Sequence, residues 1–157
     1  MASNIQSPIG AKLDRSDSTP TFAVGTKGVL PDGGEAVYIS ASSAIAVNDA
    51  VGIDENFAGA PLTKAMADDG FNFGVCADVG IGSGEYGWAR TRGSNFSVKV
   101  LASCAADVPL YTSATAGSLD DASSSQTKID GIVIVTADGG SGSAIECIAT
   151  YPKSTTF

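Results

Sequence analysis

Apolar and polar positions alternate in short stretches along most of this chain, and no stretch holds a helical period over ten or more residues. Phe22 to Leu30 alternates at Phe22 and Val24 and closes on Pro31-Asp32-Gly33-Gly34, a strong turn signal. Ala36-Val37-Tyr38-Ile39 is the next β-prone run, and Ile45 to Ile53 reads as two short strands joined through Asn48-Asp49. Phe71 to Val79 follows, then a glycine-rich turn over Gly80 to Gly84 and strands at Tyr86 to Arg92 and Phe96 to Leu101. Pro109-Leu110-Tyr111 leads into a small-residue stretch and a polar loop, Asp120 to Lys128. Ile132-Val133-Ile134-Val135 is apolar on both faces, as a central buried strand would be, and Asp138 to Gly142 turns the chain into Ala144 to Tyr151. Thr63 to Asp69 is a turn of helix at most.

These elements predict an all-β fold, a compact β-barrel or β-sandwich of short antiparallel strands, over residues 21–157. Residues 1–20 are polar and irregular, with Pro8, Gly10 and Pro20 as breakers, and read as an extended N-terminal arm outside the core. Fully extended, that arm reaches roughly 65 Å. A compact body of this length has a radius of gyration of about 15 Å, so the arm can touch a neighbouring molecule. Its Ile5, Pro8, Ile9, Lys12, Leu13 and Arg15 are the candidate contact residues.

Composition sharpens this picture. The 157 residues include 19 glycines, which suit tight turns between short strands. Net charge is −8, while residues 1–30 balance at +1, so the body is acidic and the leading segment is not. Nine scattered basic residues make no phosphate-binding surface, so nucleic acid is not expected as a partner. No run of about 18 apolar residues is present, and no secretory signal is read at the N-terminus; the expectation is a protein made in the cytoplasm without a membrane partner. Without such a signal, the Asn95-Phe96-Ser97 sequon is a chance match.

Chemistry is sparse. There is no histidine, and Cys76, Cys104 and Cys147 form no C-x-x-C pair, so no disulfide framework, metal site or cofactor is expected. Each cysteine lies among apolar neighbours and reads as a small buried hydrophobe. Gly82-Ser83-Gly84-Glu85-Tyr86-Gly87 matches G-x-G-x-x-G, yet a strand follows it where a dinucleotide site needs a helix. Asp68-Asp69 and Asp120-Asp121 sit beside turns and lack calcium-loop spacing. No serine has an activating histidine, and no G-x-S-x-G motif occurs, so no catalytic residue is assigned. Tyr86, Trp88, Arg90 and Arg92 share one strand face. Trp and Arg dominate interface energetics, which makes Trp88, Arg90 and Arg92 the candidate interface; the alternative is Trp88 in the core and arginines paired with local acids.

The order of several short motifs resembles the capsid cement, or head-decoration, proteins of tailed bacteriophages. They are Gly28-Val29-Leu30-Pro31-Asp32-Gly33-Gly34, Ala50-Val51-Gly52-Ile53, Phe73-Gly74-Val75-Cys76-Ala77 and Tyr86-Gly87-Trp88-Ala89-Arg90-Thr91-Arg92-Gly93. Pro109-Leu110-Tyr111-Thr112-Ser113 with Ala116-Gly117, Ile129-Asp130-Gly131-Ile132 and a closing strand near Ala149-Thr150-Tyr151-Pro152 complete the series. The resemblance implies a non-enzymatic protein on the outer capsid surface of the virion, with the major capsid protein as partner and a homo-oligomer, most often a trimer. A small β-sandwich recognition module of a phage fibre or carbohydrate-binding type is the alternative.

Overall fold

The computed structural model describes residues 12–155. Ten strands and one short helix follow one another: β1 (Lys27–Val29), β2 (Glu35–Ala41), β3 (Ala50–Ile53), β4 (Ala58–Pro61), α1 (Lys64–Asp68), β5 (Asn72–Val75), β6 (Tyr86–Lys99), β7 (Leu110–Thr112), β8 (Leu119–Asp120), β9 (Lys128–Ile134) and β10 (Ala144–Ser154). The fold is all-β, as the alternation predicts. The helix is the single turn expected near Thr63, whose hydroxyl accepts the Met66 amide.

The ten strands form one hydrogen-bonded sheet in the order β1-β2-β4-β3-β5-β6-β10-β9-β7-β8, and β2 also pairs with β6. That extra pairing makes β2, β4, β3, β5 and β6 return on themselves as a ring of five strands. Inside the ring lie Val37, Ile39, Val51, Ile53 and Ala89, with Ile45, Cys76 and Ile81 from the connecting segments. A five-stranded ring leaves little interior space, so some inward positions must lack a side chain. A Cβ on Gly59 would meet Ile39 Cδ1 at 2.6 Å, and one on Gly87 would meet Ile81 Cδ1 at 2.7 Å. Glycine therefore makes room within β4 and β6 as well as serving the turns. Gly87→Val is expected to overpack the ring and cost about 1–3 kcal/mol in denaturant unfolding.

The second half of the molecule packs around a separate core. Phe96 and Val98 of β6, Cys147 and Ala149 of β10, Ile129, Ile132 and Ile134 of β9 and Leu110 of β7 meet Phe73, Val75 and Ala67 there. The strands at Tyr86 to Arg92 and Phe96 to Leu101, expected as two, are one 14-residue strand that serves both cores. Asn95 adopts the left-handed region midway along it (φ 62°). Two further differences from the expected short antiparallel strands are the length of β10, at 11 residues, and the parallel pairing of β2 with β4. In β9, Ile132 and Ile134 are buried while Val133 is half-buried, so only one face of this strand is core.

Candidate functional site

The outward face of β2 and β6 positions the aromatic residues that sequence reading singled out. Alternation sends Val37, Ile39 and Ala89 into the ring and Ala36, Tyr38 and Trp88 outwards. There Trp88 is only 6% exposed, with its ring 5.0 Å from Tyr38 and 5.5 Å from Phe22. Tyr86 stacks on Tyr38 at 6.2 Å. Leu13 and Leu30 close this cluster from above, Leu13 at 2% exposure.

Leu13, Asp17 and Phe22 thus contact the body, within or beside the span read as an N-terminal arm, while most of the other side chains of residues 14–26 are exposed. Asp17 and Tyr86 exchange both backbone hydrogen bonds at 2.8 Å. The Asp17 carboxylate accepts from the Tyr38 hydroxyl at 2.8 Å, and Ser16 donates to Glu85 at 2.6 Å. A single leucine among polar residues carries little sequence signal, and its partners come from distant positions. Arg15 is exposed and ion-paired with Asp17 at 3.2 Å, and Lys12 is exposed. Ile5, Pro8 and Ile9 lie outside the described residues.

The three candidate interface residues separate. Trp88 is core. Arg90 is 7% exposed, and its guanidinium holds both oxygens of Asp78 at 2.9 Å and Asp32 at 3.2 Å. It also lies 5.3 Å from the Phe96 ring centre. Burial works against its charge, but the hydrogen bonds and charge of Asp78, then of Asp32, outweigh it and raise its pKa. Arg90 therefore fastens the β1–β2 turn and the segment after β5 to β6. Arg92 alone is exposed, and its ion pair with Glu35, at 3.5 Å, lies at the surface. Glu35 also accepts from the Tyr151 hydroxyl at 2.6 Å.

An open cleft of about 390 Å³ lies where the ring meets β10. Val37, Ile53, Phe57 and Phe73 supply apolar walls, and Lys27 and Lys153 line it too. Sequence reading missed this site, because its two lysines stand near opposite ends of the chain.

The reactive side chains are engaged elsewhere. All three thiols are buried: burial, reinforced by Asp49, pushes Cys76 up to about 12, and burial with Glu146 does the same for Cys147. Burial with Asp121 and Asp120 raises Cys104 to about 11. Cys104, Asp120 and Asp121 bring their ligand-type atoms within 4.8 Å of one another, but an Asp121 oxygen already accepts the Ala105 amide at 3.0 Å. Asp68 is bound to Lys64 and Thr127, and Asp69 caps α1. Gly82 to Glu85 is a turn running into β6, not into a helix. No helix among the described residues is long and apolar enough to cross a membrane. Among known proteins, no family model and no curated sequence matches this chain.

Proposed function

We propose that this chain is a non-enzymatic cement protein that binds the outside of a phage capsid lattice and stabilises the head. One observation carries the reading beyond the motif order: the N-terminal segment is fixed to a rigid body from Leu13 onward by the aromatic cluster and the Asp17–Tyr86 pairing. Eleven residues precede the described part, with Ile5, Pro8 and Ile9 among them and no acidic side chain. Extended, they span at most about 40 Å. Such a segment on an acidic body suits a protein that docks on a lattice by several weak contacts together, and adding a strand to an exposed edge is one available mode. A homotrimer on local threefold positions fits this role. The carbohydrate-module alternative needs several exposed aromatic rings, whereas Phe22, Tyr38 and Trp88 pack on one another. Of the aromatic side chains among the described residues, only Tyr151 is largely exposed, with its hydroxyl bound to Glu35.

Co-sedimentation with expanded phage heads that lack a decoration protein tests the proposal. The expected result is saturable binding at a stoichiometry matched to the lattice. Deletion of residues 2–11 should abolish binding and leave the thermal midpoint within about 2 °C of the full chain. Deletion through residue 20 is the wrong variant, because it removes Leu13 and Asp17 from the body. Failure of the full chain to bind any head form would overturn the proposal.

A further inference from the structure

The basic side chains are unevenly engaged. Arg15, Lys64, Arg90, Arg92, Lys99 and Lys128 are each ion-paired with an aspartate or glutamate. Of the nine basic residues, that leaves Lys12, Lys27 and Lys153 without an ion pair among the described residues, and Lys12 borders residues outside that range. The other two line the same cleft, and both are exposed. In a chain of net charge −8, two uncompensated ammonium groups over apolar walls form a local site for an anion with an apolar neighbour. At about 390 Å³ the cleft falls within the size range of pockets that seat a ligand.

A second feature decides what kind of ligand. Lys27 is also the first residue of β1, which pairs with β2 alone and so forms an edge of the sheet. Val29 on the same strand is 53% exposed. An open edge beginning at the cleft offers backbone groups to an incoming strand. Successive side chains of a strand point to opposite faces, so two positions apart is the spacing that sets two side chains on one face.

We propose that the cleft and the β1 edge together dock an extended segment of a partner protein carrying an acidic residue two positions from an aromatic or aliphatic one. The carboxylate meets Lys27 and Lys153, and the apolar side chain enters between Phe57 and Phe73. Residues 1–11 contain no acidic side chain, so the leading segment of a second copy lacks the matching charge. On the cement reading, on which this choice of partner rests, the segment belongs to the major capsid protein.

The test has two arms. Fluorescence anisotropy on the full chain would use a blocked peptide of alternating threonine and valine with one Glu-Thr-Phe triplet, beside its Gln-Thr-Phe and Glu-Thr-Ala counterparts. Each counterpart is expected to bind at least tenfold more weakly, and the double variant Lys27→Glu with Lys153→Glu should lose the Glu-dependent preference. Equal affinity for all three peptides, no binding of any, or saturable binding of octanoate without peptide binding would overturn the inference. In the second arm, the double variant should bind expanded heads at least tenfold more weakly with an unchanged circular dichroism spectrum. Unchanged head binding overturns the inference and leaves the cement reading intact. If the wild-type chain binds no heads, the cement reading and the capsid partner fall together, and the peptide titration decides the cleft.

Discussion

Arg90→Met is expected to lower the free energy of unfolding by about 3 kcal/mol, the low end of the cost of removing one partner from a buried ion pair. The Arg90 side chain is 9% exposed, and removal of its guanidinium strands Asp78 and Asp32. The side chains of Asp78 and Asp32 are 24% and 37% exposed, so water recovers part of the lost solvation and keeps the cost at the low end. Methionine keeps the aliphatic stem packed, so the loss reports on charge and hydrogen bonding rather than on a cavity. A triple variant that adds Asp78→Asn and Asp32→Asn should regain much of the loss, because no uncompensated charge then remains. Denaturant unfolding at constant slope reads both numbers. If Arg90 were instead a free interface residue, Arg90→Met would change stability by no more than about 0.5 kcal/mol.

Trp88→Ala should cost about 3–5 kcal/mol, as for a large aromatic side chain removed from a packed site. The indole is the floor on which Phe22 and Tyr38 rest, and Leu13 and Leu30 close over them. Its loss therefore loosens residues 13–26 before the strand ring opens. Limited trypsin digestion should show this as cleavage after Arg15 and Lys27 while the rest of the chain survives. Trp88→Phe should retain most of the stability and resist that early cleavage. A Trp88→Ala protein as stable as the parent would mean that the indole faces a partner and not the core.

Much of the fold class was legible because its causes are local. Tyr38, Ile39, Val98 and Ile134 sit in β-prone runs bounded by turn residues, and the apolar surroundings of Cys76, Cys104 and Cys147 matched full burial. Ring closure was not legible. Ala58-Gly59-Ala60-Pro61 has no β-branched or aromatic residue, and it becomes β4 only because β2 and β3 pair with it on either side. The periodic face of Tyr86, Trp88, Arg90 and Arg92 was correctly placed on a strand, yet its partners were out of reach. Leu13, Asp32 and Asp78 come from three separate segments, so sequence left both core and interface open for Trp88 and Arg90. The cleft failed for the same reason, since Lys27 and Lys153 meet only through β1, β2, β5 and β10.

The proposed capsid-strengthening role is read by DNA release from filled heads. Undecorated, DNA-filled heads would be heated with and without saturating protein, and release followed with a dye that binds free DNA. The expected result is a higher release temperature that saturates with occupancy of the lattice, and no increase with the chain deleted for residues 2–11. Release at the same temperature with the lattice fully occupied would contradict it.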